Sequence, residues 1–290
     1  MTAEQQACEK HFITHTIQEQ DERFVVRRPT KMVPKPLGSS RISAERRLHA
    51  IERRLERDPE LKVQYHNFMK EYEELGHMEP VKFQVGKNTC YFLPNHPDFK
   101  ETRTKTKTRD LFNGDAKIPY LLSLNAILHV GSTFQQDLYS IVLRFRTHQQ
   151  CFTADIANMC RQIVVHPQDR DLQRILCRYS SDEPVQEYRT TTLIYGKSSA
   201  PYLATRCLKK LADDNKCQYP KATQVLSNDF YVYDLLSGTS IKEELTKVQP
   251  EIVSLLQTVG FTLRKWASNH PTFLDIIPRE LQETKDIIPG

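Results

Sequence analysis

Apolar residues between positions 43 and 76 recur at spacings of three and four, the period of one helix face. Ser43 is a good N-cap, and a helix is predicted from it through Ala44-Glu45-Arg46-Arg47-Leu48 to Arg57. Asp58-Pro59 is a second start signal, with Asp as cap and Pro at the first helical position. The helix that follows carries Leu61, Tyr65, Phe68, Tyr72 and Leu75 on one face and stops at Gly76; packing explains that face. The period then changes to two. Val81-Lys82-Phe83-Gln84-Val85 and Thr89-Cys90-Tyr91-Phe92-Leu93 alternate around Gly86-Lys87-Asn88, which predicts a hairpin. A buried-face helix is predicted over 134–146, through Phe134, Leu138, Ile141, Val142 and Phe145. Paired strands are predicted over 173–178 and 185–193, and helices over 200–214 and 241–259, the last ending at Gly260. Strands and helices interleave, so the class is α/β or α+β.

Two short apolar-aromatic runs change the picture. Phe152-Thr153-Ala154-Asp155 and Phe230-Tyr231-Val232-Tyr233-Asp234 are strand-like, and each delivers an acid at its end. Side by side they would bring carboxylates together, which is how a protein holds Mg²⁺ against phosphate. The second run suits a hairpin with its polar tip near 233–234, and Asp229 just upstream is a weaker candidate ligand. Asp213-Asp214 reads as the solvated end of a helix.

Composition sets the limits. The 290 residues are 39% hydrophobic and 27% charged, with net charge +5 and pI near 8.7. That balance suits a soluble globular chain and is compatible with nucleic acid. No apolar run reaches membrane-spanning length, and the polar start Met1–Lys10 carries no secretory signal, so an intracellular place, cytoplasmic or nuclear, is expected. The seven cysteines are scattered without a C-x-x-C pair, which argues against a zinc site and against a disulfide framework. Residues 27–37 carry three prolines and four cations and read as an extended arm. Glu101-Thr102-Arg103-Thr104-Lys105-Thr106-Lys107-Thr108-Arg109 alternates Thr with cations. On a strand, Arg103, Lys105, Lys107 and Arg109 would share a face, as a grip for phosphates or a guarded sheet edge. Tyr195-Gly196-Lys197-Ser198-Ser199-Ala200-Pro201 is a turn feeding a helix, and Arg264 and Lys265 lie on a strand beside the single Trp266.

Taken in order, these segments resemble the reverse transcriptase of the BEL/Pao family of LTR retrotransposons, over nearly the whole chain. The resemblance is carried by Gly76-His77-Met78-Glu79-Pro80, Leu93-Pro94-Asn95-His96-Pro97, Leu122-Ser123-Leu124-Asn125, Leu143-Arg144-Phe145-Arg146 and Phe152-Thr153-Ala154-Asp155-Ile156. Further along it continues through Val165-His166-Pro167, Tyr195-Gly196, Ala200-Pro201, Leu203-Ala204-Thr205-Arg206-Cys207-Leu208, Asn228-Asp229-Phe230-Tyr231-Val232 and Leu263-Arg264-Lys265-Trp266-Ala267-Ser268-Asn269. It implies an α+β right-hand polymerase with fingers and palm, the palm an antiparallel sheet backed by helices. The expected order is an arm over 1–42, a helical pair over 43–79, fingers and palm over 80–270, and a tail over 271–290 leading towards an absent thumb. The implied activity is RNA-directed DNA polymerisation by two Mg²⁺ ions, on a primed RNA or DNA template with deoxynucleoside triphosphates. Asp155 matches the first metal-binding acid and Asp234 the last. Lys107 and Arg109 match finger cations on the triphosphate. Gly196, Ala200 and Pro201 match a loop and helix supporting template and nucleotide, and Lys265 a proton donor to pyrophosphate.

Three positions depart from the family. Tyr233 stands where the hairpin Tyr-Val-Asp-Asp has its first Asp, and a phenol cannot bridge two divalent ions. That loss is expected to slow the reaction by about a thousandfold or more. Cys160 stands where an aromatic residue blocks a ribose 2′-hydroxyl, so the sugar gate at the nucleotide site is expected to be open. Phe112-Asn113-Gly114-Asp115 replaces Phe-Asp-Ala-Ser. An impaired polymerase is the expectation, with a non-catalytic nucleic-acid-binding module as the alternative.

Overall fold

The computed structural model describes residues 1–18, 23–31, 40–81, 90–100, 107–112, 114–116 and 122–283. In chain order its elements are α1 (Ala3–His15), β1 (Ile17–Gln18), β2 (Phe24–Val26), α2 (Ser40–Arg57), α3 (Pro59–Glu74), β3 (Met78–Pro80), β4 (Asn95–Lys100) and β5 (Lys107–Phe112). The middle of the chain gives α4 (Leu124–Ile127), α5 (Leu138–Thr147), β6 (Gln150–Ile156), α6 (Met159–Gln162), β7 (Val164–Val165), β8 (Arg174–Cys177) and β9 (Gln186–Thr190). Then come α7 (Ala200–Asp214), α8 (Pro220–Asn228), β10 (Phe230–Tyr231), β11 (Asp234–Thr239), α9 (Lys242–Gln257), β12 (Leu263–Ser268) and α10 (Pro271–Leu274). The class is α+β. None of the described helices is long and apolar enough to cross a membrane. Two compact units are built from interleaved segments.

The first unit holds residues 1–17, 25–131 and 163–200. Its α3 starts as the sequence predicts: Asp58 accepts the Leu61 amide at 3.0 Å, and Pro59 opens the helix. Leu61, Tyr65, Met69 and Tyr72 are buried against Met78, Ile175 and Tyr188, while Leu75 caps the end and stays exposed. Gly76 follows at φ +69, a conformation that favours glycine. Helix α2 begins three residues before Ser43, so Ser43 is not its cap. Ser40 is buried there, and its hydroxyl accepts the Phe92 amide at 3.0 Å. A tertiary bond of this kind carries no local sequence signal. Strands β8 and β9 pair antiparallel as predicted, with β3 on the other side of β9. The hairpin predicted over 81–93 falls largely on 82–89, and Arg103 and Lys105 on 101–106, outside the described residues.

The expected N-terminal arm is structured where it is described. It holds α1 and β2, and Val25 and Val26 pair parallel with Val164 and Val165. Asp169 accepts two bonds from the Arg27 guanidinium, at 2.9 and 2.8 Å, and one from the Arg28 amide at 2.8 Å. Residues 27 and 28 are therefore held by a forked ion pair that composition does not reveal.

The second unit holds residues 18–24, 132–162 and 201–290. Its centre is an antiparallel sheet in the order β10-β11-β6-β12. Strand alternation puts Phe152, Ala154 and Ile156 of β6 on the core face. Phe152 stacks with Trp266 at a ring distance of 6.0 Å and packs in a tilted arrangement against Phe273 at 5.3 Å. Phe273 belongs to α10, and the Glu283 amide bonds to the Trp266 carbonyl, so the expected C-terminal tail is packed against the sheet as far as residue 283. Helix α5 starts at Leu138 rather than Phe134, because Asp137 caps it by accepting the Ser140 amide at 2.9 Å. Only its Ile141 is buried; Leu138 and Leu143 are 44% and 48% exposed. Helices α7 and α9 match their predicted spans to within a few residues, and Asp213 and Asp214 pair with Lys209 and Lys210 at the end of α7.

Candidate functional site

The two acid-bearing strands lie side by side in the second unit. Strand β6 pairs with β11 so that Asp155 and Asp234 are direct partners. Paired residues in an antiparallel ladder share a face, so both carboxylates stand on the open side, with Thr153 and Leu236 next along it. No register change is needed for Asp234 to face Asp155. The physical reason is the turn. Strands β10 and β11 are joined by Val232 and Tyr233 alone, with Tyr231 paired to Asp234, so alternation does not run through the tip.

The tip is held in a strained form. Val232 has φ +57, a left-handed conformation costly for a β-branched residue. Gln135 clamps it: its side-chain oxygen accepts the Val232 amide at 2.8 Å, and its side-chain nitrogen donates to the Val232 carbonyl at 3.2 Å. Tyr233 is 38% exposed, and its carbonyl accepts the Ile156 amide. Nothing in the local pattern singles out Gln135.

Strand β12 lies on the other side of β6 and supplies two cations. The register runs Leu263–Ile156 and Arg264–Asp155, then resumes one residue later at Ala267–Thr153. This β-bulge inserts an extra residue, and Lys265 within it has φ +53. Successive strand residues ordinarily face opposite ways; the bulge brings Arg264 and Lys265 to the same carboxylate. Arg264 Nε donates to Asp155 Oδ1 at 3.0 Å, and Lys265 Nζ to Oδ2 at 2.6 Å. The Asp155 side chain is 9% exposed, those of Arg264 and Lys265 37% and 55%. The Asp234 carboxyl is pushed above its usual range, first by partial desolvation and then by the Asp155 charge, while Lys265 pulls the other way.

Asp229 is committed elsewhere. Arg144 Nε and the Ser237 hydroxyl donate to its two oxygens at 2.8 and 2.6 Å, and Ser237 alternates with Asp234 to the core face of β11. It is not an extra ligand beside Asp155. Among the described residues no three carboxylate, histidine or cysteine side chains gather as a metal cluster. A pair of divalent ions does not fit these residues: both Asp155 oxygens are held by cations, and position 233 offers an exposed phenol. Cys160 is buried on α6, five residues after Asp155. Pro201 lies in the first turn of α7.

The remaining predicted site residues belong to the first unit. Lys107 and Arg109 are in β5, opposite Lys100 and Asp98 of β4; their side chains lie outside the described residues. Gly196 sits at φ +81 in a turn that Asn125 ties down. The Asn125 amide nitrogen donates to the Gly196 carbonyl at 3.0 Å and to Asp115 at 2.9 Å, and its oxygen accepts the Ser198 amide at 3.0 Å. Lys197 is 2% exposed, and its amine donates to the Phe112 carbonyl at 2.8 Å. Burial, reinforced by Arg28, holds that amine well below the usual lysine range, with Asp115 opposing. A Cβ on Gly114 would come within 2.8 Å of the Lys197 amine. Gly114, where the resemblance expects Ala, therefore makes room for Lys197.

No family model and no curated protein sequence matches the chain. Among solved structures it is similar to a crystal structure of the prototype foamy virus protease–reverse transcriptase, with a TM-score of 0.54 and 15% identity. The similarity covers 71% of this chain and 24% of the viral one, so the chain spans about a quarter of that protein's length. At this identity the likeness shows the fold alone, a reverse-transcriptase-like one.

Proposed function

We propose that this chain is the fingers-and-palm part of a BEL/Pao retrotransposon reverse transcriptase, with an impaired catalytic centre. The observation that carries the reading is the direct pairing of Asp155 with Asp234 beside a two-residue turn, within a reverse-transcriptase-like fold. The order of matching segments supports the family, and it makes a primed template and deoxynucleoside triphosphates the partners, inside the cell. In that family two Mg²⁺ ions supply the chemistry by stabilising the attacking and leaving oxygens. Here Tyr233 offers no bridging carboxylate, and Arg264 and Lys265 neutralise Asp155.

What the chain retains is binding. Lys107 and Arg109 on β5 are our candidates for the triphosphate, and the turn at Gly196, Pro201 at the head of α7 and Cys160 for template and nucleotide. The ion pairing of Asp155 favours a second reading, a nucleic-acid-binding module without catalysis. Fluorescence anisotropy of a labelled primer–template across a salt series tests the shared part. Binding that weakens steeply with salt is expected, because each neutralised phosphate releases counterions. A flat salt response, or no binding at low salt, contradicts both readings.

A further inference from the structure

Asp155 is nearly buried, and two cations of the chain itself balance its charge. The bulge in β12 spends an extra residue to deliver two consecutive cations to one carboxylate, at 3.0 and 2.6 Å. Asp234, directly opposite, meets the same group of charges. Two carboxylates and two cations leave no net charge to attract a divalent ion. Such an ion would have to displace an ammonium from Oδ2 and sit beside a guanidinium at Oδ1, against their mutual repulsion. A buried carboxylate stripped of its partners is costly, so the cations leave only for something that replaces them.

We infer that Arg264 and Lys265 are resident counter-ions of Asp155 that compete with a divalent cation for its oxygens, and that in this chain they keep the position. Lys265 is the movable member. Its side chain is more than half exposed, and its amine can swing into solvent while Arg264 stays paired through the ladder. The inference rests on the polymerase reading only for the choice of metal; its chemistry concerns the four charged residues.

The test is a titration of the purified chain with Mn²⁺, following free Mn²⁺ by electron paramagnetic resonance. Lys265→Gly suits φ +53 and removes the ammonium; Arg264→Gln in the same chain removes the second charge. The unmodified chain is expected to take up no Mn²⁺ below the millimolar range. Each lost cation is expected to tighten uptake by about tenfold or more. Adding Asp155→Asn to either variant is expected to abolish the gain. Tight Mn²⁺ uptake by the unmodified chain overturns the inference, and so does no gain in a folded Lys265→Gly chain. Thermal melting checks folding, and the mostly exposed Lys265 keeps one informative variant if the double variant does not fold. The titration contains no nucleic acid, so its failure is separable from that of the polymerase reading, which the primer–template measurement tests.

Discussion

Asp155 and Asp234 stand directly opposite each other across the β6–β11 ladder, and among the described residues only Asp155 of the two carries ion pairs, to Arg264 and Lys265. The two acids are therefore unequal in stability terms. Asp155→Asn leaves two cations without their partner and is expected to destabilise the chain by about 1–3 kcal/mol in urea unfolding. Asp234→Asn removes a like charge from the opposite position and is expected to be neutral or stabilising by a few tenths of a kcal/mol. Equal losses from both variants would contradict the asymmetry.

The hairpin tip depends on Gln135. Gln135→Ala removes both bonds to Val232 and is expected to cost about 1–2 kcal/mol. Faster amide exchange at Val232 is expected to accompany it. Val232→Asn tolerates φ +57 better and is expected to offset part of that loss in the double variant. Unchanged exchange in Gln135→Ala would show that the clamp is not what holds the turn.

Lys197 makes stability depend on pH. Its folded-state pKa is depressed, so between that value and the ordinary lysine value near 10.5 the unfolded chain binds more protons than the folded one. Stability therefore rises with pH through that window and is lowest on its acid side. Lys197→Met is expected to flatten the rise and to stabilise the chain at neutral pH by about 1 kcal/mol or more. Gly114→Ala is expected to destabilise the chain, because the new Cβ meets both the Lys197 side chain and Asn125 Oδ1, and Lys197→Met is expected to relieve only part of that cost. Denaturation midpoints from neutral pH to about 10.5 check both.

Gly238 is the tight point at the far end of the same ladder. A Cβ there would lie 2.5 Å from the Gln150 carbonyl and 2.7 Å from His148 Cβ, neither of them the end of a flexible chain. Gly238→Ala is expected to cost about 2 kcal/mol, read from the unfolding midpoint.

Much of this was legible in the sequence, for identifiable reasons. Asp58-Pro59, Gly76 and Gly260 are local signals, and α3 and α9 end where they say. The strands at 152–155 and 230–234 were readable from their apolar runs, and their adjacency followed from the resemblance. What was not legible depends on partners distant in sequence. Ser40 is tied to Phe92, and Arg27 is fixed by Asp169. The approach of Lys265 to Asp155 beside Arg264 needs a bulge, and a bulge shifts register without changing the residue pattern. The facing of Asp234 and Asp155 is set by the turn at Val232 and Tyr233, where strand alternation does not apply.

The proposed reading as an impaired reverse transcriptase turns on position 233. Primer extension on an RNA template, with Mg²⁺ or Mn²⁺, tests it most directly. Joined to the same thumb from a related polymerase, the unmodified chain is expected to add no nucleotide above background, and Tyr233→Asp, whose added carboxylate tips the charge balance against Arg264 and Lys265, to regain extension. Robust extension by the unmodified chain would contradict that reading.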